Sequence, residues 1–114
     1  MSCCNSRSTP EGTIRVLCIE PNKEPYEIEI ENSLEVMQSF VGGYITTIGY
    51  GVDTVLIVNE EGRLFNLPKN RNFPGLLSYQ KIVGTFLICG VDYDYNFSSL
   101  SENQILFWKW YYKL

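Results

Sequence analysis

The sequence contains no histidine among its 114 residues. This absence excludes Ser-His and Cys-His nucleophile arrangements, and it removes the commonest general base near neutral pH. The four cysteines form no CxxC pair, so a zinc site would need thiolates from a polar N-terminal stretch and two apolar runs to converge. We therefore expect no enzyme activity, no cofactor and no metal, and we expect Cys18 and Cys89 to be small buried core residues.

Long apolar runs are also missing, since none approaches the roughly 20 residues of a membrane span. The first residues lack the basic-then-apolar order of a secretory signal. We therefore expect a soluble protein of the bacterial cytoplasm with no membrane contact. Residues 1–12 are polar and without periodicity, which predicts a flexible tail, and residues 13–114 predict a single domain with a real core.

Hydrophobic patterning predicts an α+β domain with a twisted, mainly antiparallel sheet of five or six strands. Residues 14–19 and the strictly alternating residues 26–31 predict a hairpin whose glutamates face solvent. Residues 44–48 predict a third strand. Residues 55–58 and 82–90 are apolar at successive positions, which is typical of central strands covered on both faces.

The middle of the chain is less regular. Residues 63–67 follow a turn at 59–62, and we predict that they form a second hairpin with the strand before them. Residues 68–75 contain two prolines and a glycine, which predicts an ordered loop. Residues 76–80 are predicted to form one helical turn.

Capping signals predict two helices. Asn32 or Ser33 can cap a short helix after the second strand, and Gly42 can end it in the left-handed conformation. Ser101 and Gln104 have the spacing of a capping box, which predicts a C-terminal helix over residues 105–112.

The predicted C-terminal helix is apolar and aromatic nearly all round, so it must be covered on more than one side. One side can lie on the sheet. We expect another copy of the chain to cover a second side, which predicts a homo-oligomer. The alternative is that part of the aromatic cluster folds under the loop at residues 93–97 of the same chain.

Cations are concentrated in one part of this acidic protein, whose net charge is -4. We call residues 59–81 the cationic window, because Arg63, Lys69, Arg71 and Lys81 lie in it and no acidic residue follows Glu61 within it. A local positive patch with neutral amides suits a small anionic, hydrogen-bonding ligand, whereas overall acidity disfavours nucleic acid. The candidate ligand-binding residues are Arg63, Lys69 and Arg71 for phosphates, Asn59, Asn66 and Asn70 for hydrogen bonds, and Tyr44 and Phe73 for stacking on a base.

Two other interpretations of the charged residues stay open. Lys69 and Arg71 can instead pair with Glu60 or Glu61 across the predicted hairpin. Carboxylates could also carry chemistry, because a pair of aspartates can bind a divalent metal or act as acid and base. The candidates for such a hydrolase are Asp92, Asp94 and Glu60.

Four segments of the chain, taken in order, carry a resemblance to a known family. They are Val41-Gly42-Gly43-Tyr44-Ile45, Asn59-Glu60-Glu61-Gly62-Arg63, Leu67-Pro68-Lys69-Asn70-Arg71 and Ile82-Val83-Gly84-Thr85-Phe86-Leu87-Ile88-Cys89-Gly90-Val91-Asp92. Together they resemble a family of small domains of unknown function found in phages, plasmids and other mobile elements of bacteria. The resemblance covers about residues 13 to 105 and implies no particular activity.

A looser resemblance is to phage anti-defence sponges of the Thoeris anti-defence type, from which no site residue can be carried over. It implies a mobile-element protein that binds a nucleotide-derived immune signal, of cyclic nucleotide or ADP-ribose type, and sequesters it without cleavage. The alternative is a protein-interaction module that inhibits a host defence or restriction enzyme. Its working face would be the acidic region from Glu20 to Glu35, which includes Glu27, Glu29 and Glu31.

Overall fold

A computed structural model describes residues 12–114. The predicted tail therefore lies, apart from Gly12, outside the described residues, as do Cys3 and Cys4. The described elements are β1 (Thr13–Ile19), β2 (Tyr26–Glu31), α1 (Leu34–Val41), β3 (Ile45–Tyr50), β4 (Thr54–Asn59), β5 (Lys69–Asn72), β6 (Lys81–Val83), β7 (Phe86–Val91), β8 (Phe97–Ser98) and α2 (Glu102–Tyr111), with one 3₁₀ turn at Gly75–Leu77.

The main sheet has the strand order β2-β1-β7-β4-β3, and the short strand β8 also pairs with β7. Every pairing is antiparallel. Strand β7 lies at the centre, where Ile88 is opposite Leu17 on one side and Leu56 on the other. The predicted α+β class and the six-stranded antiparallel sheet are thereby confirmed, as is the first hairpin. Strands β5 and β6 form a separate two-stranded unit.

Each face of the sheet carries its own core. On one face, Met37 and Val41 of α1 pack on a cluster that includes Cys18 and Cys89. Both thiols are fully buried, as predicted, and burial raises the pKa of Cys89 to about 12. The second cluster lies on the opposite face, where α2 and β6 cover the sheet. Its buried members are Leu17, Ile19, Leu56, Val58, Ile82, Phe86, Ile88, Leu100, Ile105, Trp108 and Tyr112.

Local capping signals are read correctly from the sequence. Ser33, the second of the two candidate residues, caps α1 by accepting a hydrogen bond from the Val36 amide at 3.2 Å. Gly42 ends α1 at φ 85°, in the left-handed region. Ser101 and Gln104 form the predicted capping box at the start of α2. No helix of the described residues is long and apolar enough to cross a bilayer.

The predicted second hairpin is wrong. Residues 60–66 form successive turns, closed by hydrogen bonds such as Phe65 N to Glu61 O at 3.1 Å and Leu67 N to Gly62 O at 3.0 Å. Strand β4 has no free edge for another partner, because β3 and β7 occupy its two sides. We call residues 60–67 the turn segment.

Two neighbouring predictions also need correction. The predicted loop at 68–75 contains β5, which pairs with β6 across a register shift. The predicted single strand at 82–90 is divided into β6 and β7, because Gly84 adopts φ 77° and turns the chain from the small hairpin into the main sheet. The helical turn predicted at 76–80 is the 3₁₀ turn, which begins one residue earlier.

Candidate functional site

Three of the four cations of the cationic window line one groove of about 490 Å³. It lies between the turn segment and the β5–β6 hairpin, and we call it the cationic groove. Its lining contains no carboxylate, although the protein as a whole is acidic. The lining residues are Arg63, Asn66, Leu67, Lys69, Tyr79, Gln80, Lys81 and Val83.

A second cleft, of about 410 Å³, adjoins the cationic groove and shares Arg63, Gln80, Lys81 and Val83 with it. This cleft is lined by the end of β4 and by Phe73, and it also contains Glu60 and Glu61. Since two carboxylates here oppose two cations, we call it the mixed cleft. An anion is therefore attracted more strongly to the cationic groove than to the mixed cleft.

Two closely packed glycines, Gly62 and Gly84, determine how near the turn segment lies to β6 at the cationic groove. The side chain of Leu67 lies between Gly62 and Gly84, and a Cβ atom on Gly84 would come within 2.8 Å of Leu67 Cδ1. On Gly62, a Cβ atom would lie 2.5 Å from Val83 Cγ2. The two glycines thus allow the turn segment to press against β6. This contact holds Arg63 and Asn66 opposite Lys69 and Lys81.

The cationic side chains of the groove form few hydrogen bonds with the rest of the chain. Arg63 donates one long hydrogen bond, from Nη2 to the Lys81 carbonyl at 3.5 Å, and the Lys81 ammonium donates to Asn72 Oδ1 at 2.9 Å. No ion pair within 4.0 Å joins any of these cations to a carboxylate in residues 12–114. Neither Lys69 nor Arg71 pairs with Glu60 or Glu61, so that alternative is wrong, and the cations of the groove form no close ion pair within the described residues.

Arg71 lies elsewhere and has a different role. Its Nε donates to the Tyr112 carbonyl at 3.0 Å, and its two terminal nitrogens donate to the carbonyls of Tyr112, Glu20 and Lys23 and to Asn70 Oδ1 at 2.6 to 3.1 Å. These bonds use all five N–H groups of a guanidinium. Burial lowers the pKa of Arg71, although Glu24 nearby opposes this effect. Arg71 is thus a clamp that joins β5, the β1–β2 turn and the end of α2, and it does not line the cationic groove.

Two of the three candidate asparagines are also engaged within the chain. Asn70 Nδ2 donates to the carbonyls of Ile19 and Gly84, both at 2.9 Å. Asn59 is buried, donates from Nδ2 to the Val41 carbonyl at 2.9 Å and accepts from the Glu61 amide at 2.8 Å. It thereby ties the end of α1 to the turn segment. Only Asn66, which adopts φ 57° at an exposed turn, lines the cationic groove.

The two predicted stacking residues are separate from the cationic groove. Tyr44 is exposed and lines neither cleft, and its carbonyl accepts a hydrogen bond from the Glu60 amide at 2.8 Å. Phe73 is half-buried, packs against the α2 core and lines the mixed cleft. The aromatic ring in the cationic groove is that of Tyr79, which is 76% exposed. Sequence reasoning missed Tyr79 and Gln80 and did not assign Lys81 a ligand role, although Lys81 belongs to the window.

The predicted carboxylate chemistry has little support in the described residues. Asp92 Oδ1 accepts hydrogen bonds from the amides of Asp94 and Asn96, both at 2.9 Å, so this carboxylate closes its own turn. Within residues 12–114, no group of three or more His, Cys, Asp or Glu side chains is placed to hold a metal ion. Glu60 is exposed and lies in the mixed cleft.

These features define a class of protein: a small α+β domain whose antiparallel sheet lies between two helices, with a cationic groove beside a small hairpin. The chain belongs to the family described as domain of unknown function DUF3846, whose model matches residues 14–113. The match extends through α2, beyond the limit near residue 105 that we expected from the sequence. No curated protein and no solved structure matches the chain. The family description names no activity.

Proposed function

We propose that this protein binds a small phosphorylated, nucleotide-like anion in the cationic groove and holds it without cleaving it. One observation carries the proposal: Arg63, Lys69 and Lys81 line one groove that has no carboxylate in its lining. Three positive charges around one concave surface create a field that attracts an anion even when the whole protein is acidic. The ammonium of Lys69 and most N–H groups of Arg63 have no partner in residues 12–114, so they can donate to phosphate oxygens.

The neutral side chains of the groove favour a nucleotide over a bare phosphate ion. Asn66 and Gln80 can donate and accept hydrogen bonds along the edge of a base or a ribose. The exposed ring of Tyr79 offers a face on which a base can stack. The groove volume of about 490 Å³ is in the usual range for small-molecule sites.

Binding without cleavage is the simplest role for this set of side chains. The sequence has no histidine, and the groove lining has no carboxylate that could serve as a general base. In a cell, such capture lowers the free concentration of the ligand. We propose, following the resemblance to anti-defence sponges, that a phage or mobile element uses this domain in the bacterial cytoplasm to sequester a nucleotide immune signal.

A ligand panel tests this proposal. Cyclic dinucleotides, cyclic ADP-ribose isomers and ADP-ribose are each added to the full chain, and the thermal midpoint and the heat of binding are measured. A ligand that binds only the folded state raises the midpoint. Mass spectrometry after release should find that ligand unchanged. If no member of the panel shifts the midpoint, or if the bound nucleotide is recovered cleaved, the proposal fails.

Variants connect binding to the groove. Arg63→Ala, Lys69→Ala and Lys81→Ala should each weaken binding about tenfold, because each removes a charge-assisted contact. Lys23→Ala is the matched control, since Lys23 is an exposed cation on the β1–β2 turn that pairs with Glu20 at 3.4 Å. Equal losses in Lys23→Ala and in the groove variants would show that binding depends only on overall charge.

A second candidate function is capture of a partner protein by the acidic edge of the sheet. On the edge strand β2, the side chains of Glu29 and Glu31 are exposed and form no ion pair within residues 12–114, whereas Glu27 pairs with Arg15 and Lys109. Reversal of the charges at Glu29 and Glu31 should abolish capture of a cationic host defence enzyme and leave nucleotide binding intact. Unchanged capture after that reversal excludes this candidate.

A further inference from the structure

The outer face of α2 is apolar although it has no cover within the described residues. Ile105, Trp108 and Tyr112 point into the core, and the opposite side of the helix points away from it. We call this opposite side the α2 outer face. Its large side chains are Leu106 (64% exposed), Phe107 (39%) and Trp110 (62%), with Tyr111 (38%) at its edge.

The composition of this face is typical of the centre of a protein interface, where aromatic residues are enriched and charges are few. With aromatic side chains of about 150–250 Å² each, the exposed parts of the four side chains amount to roughly 400 Å². That area is within the range of roughly 300–600 Å² for the largest apolar patch of a monomer, which is often functional. The polar side chains at its ends add to it, and one partner contributes roughly 800 Å² to a standard interface.

Charges lie at the two ends of the α2 outer face and have opposite sign. Glu102 is the first residue of α2, and its side chain is 77% exposed with only a 4.0 Å contact to Arg15. Lys113 is exposed just beyond the last turn of the helix. Leu106 and Trp110 lie between these two charges, so the apolar centre has the exposed Glu102 carboxylate at one end and the exposed Lys113 ammonium at the other, where Glu24 also accepts from the Leu114 amide at 3.0 Å.

We propose that the α2 outer face is the interface of a homodimer in which the two α2 helices pack antiparallel about a two-fold axis. In an isologous contact of this kind, residue i meets residue j and residue j meets residue i. Leu106 of each copy then packs near Trp110 of the other, and Glu102 of each copy lies near Lys113 of the other. The helix dipoles also oppose each other, which favours the same arrangement.

The charge arrangement selects the antiparallel pairing. A parallel pair would place Glu102 beside Glu102 and Lys113 beside Lys113, so that like charges repel at both ends. A partner with an unrelated sequence would need its own matching acidic and basic ends. A second copy of this chain supplies both at the right separation, which is why we assign the face to self-association.

Sedimentation equilibrium of the full chain in the micromolar range tests the proposal. The wild-type protein should be a dimer, and Trp110→Glu and Leu106→Glu should each shift it to monomer, with at least a hundredfold weaker association. Both side chains are exposed in the single chain, so thermal unfolding and circular dichroism should show an intact fold. Leu34→Glu is the matched control, because Leu34 is 53% exposed on α1, on the opposite face of the sheet, and this variant should stay dimeric.

A charge exchange distinguishes the antiparallel pairing from any other. Glu102→Lys and Lys113→Glu should each weaken dimerisation severalfold, and the double variant should restore it, because opposite charges again meet at both ends. A monomeric wild-type protein overturns the proposal, as does a dimer that persists in Trp110→Glu. Failure of the double variant to recover association excludes the antiparallel arrangement.

Discussion

Arg71 and Arg63 belong to the same cationic window, yet the structure gives them opposite roles. The Arg71 guanidinium is saturated by acceptors from its own chain and joins β5 to the end of α2. The Arg63 guanidinium makes one 3.5 Å hydrogen bond and faces the cationic groove. Carbonyl oxygens surround the Arg71 guanidinium, whereas Arg63 shares the cationic groove with Lys69 and Lys81. A cluster of cations in a sequence can therefore combine a structural position with one that is free to meet a ligand, and the hydrogen-bond partners distinguish the two.

The largest effect is expected when the Arg71 clamp is removed. In Arg71→Ala, the carbonyls of Tyr112, Glu20 and Lys23 lose the hydrogen bonds that the guanidinium donates, although Glu20 O still accepts from the Lys23 amide at 3.3 Å. We expect the free energy of unfolding to fall by about 2–4 kcal/mol. Arg63→Ala should stay within about 0.5 kcal/mol of wild type, because its side chain is exposed. Urea unfolding of both variants checks this difference. Equal stability of the two variants would contradict the claim that Arg71 stabilises the fold and Arg63 does not.

Arg71→Lys tests whether the role of Arg71 depends on its charge or on the geometry of the guanidinium. Lysine keeps the positive charge but has three donors on one nitrogen, so it cannot reach all the acceptors that the planar guanidinium joins. We expect a loss of stability between those of wild type and Arg71→Ala. If charge alone mattered, this variant would be as stable as wild type.

A smaller loss is expected at the wall of the cationic groove. In Gly62→Ala, the new methyl group would lie 2.5 Å from Val83 Cγ2, and a β-branched side chain has little freedom to move away. We expect about 2 kcal/mol of destabilisation and weaker ligand binding, because the turn segment must shift away from β6. Gly49→Ala is the control, since a Cβ atom there meets nothing within 4 Å. Calorimetric unfolding that shows the same stability for both variants would contradict the packing of the wall.

The smallest effect concerns the turn that Arg71 holds. Tyr26 Oη donates to Glu20 Oε2 at 2.6 Å, and this hydrogen bond is the main cause that lowers the pKa of Glu20 below its usual 4.5. A lowered pKa stabilises the folded state above pH 4.5, and this contribution is lost as the pH falls through the folded-state pKa. Tyr26→Phe should reduce that acid-dependent loss, which unfolding curves recorded from neutral to acidic pH can measure. An identical pH dependence in both proteins would contradict this assignment.

Local patterns were sufficient for much of the fold. The alternation in 26–31 gave β2, and the Ser101 and Gln104 pair gave the start of α2. Each of these features depends on residues close together in the chain. Non-local pairing explains the failures: residues 63–67 had a strand-like pattern, but their expected partner β4 is taken by β3 and β7. The β5 strand was hidden in a proline-flanked segment because its partner lies beyond the 3₁₀ turn.

The candidate site was predictable only in part. The distribution of charges along the sequence indicates the cationic window, and Arg63, Lys69 and Asn66 line the cationic groove. The charge pattern does not distinguish these residues from Arg71, Asn70 and Asn59, which have structural roles. The hydrogen-bond partners of these three, Tyr112, Ile19 and Val41 respectively, are distant in sequence. The charge pattern also could not assign Tyr79 to the groove, because an exposed tyrosine in a short turn carries no binding signal of its own.

The separate roles of Arg63 and Arg71 are tested most directly by an NMR titration that follows the arginine Nε–Hε signals of the full chain. The protein has only four arginines, so the signals of Arg63 and Arg71 can be assigned by substitution. The added ligand is the nucleotide that gives the largest thermal shift, or pyrophosphate as a minimal phosphate probe. We expect the Arg63 signal to move with saturation and the Arg71 signal to stay fixed. A shift of the Arg71 signal with none of the Arg63 signal would contradict the assignment of ligand binding to Arg63 and of a structural role to Arg71.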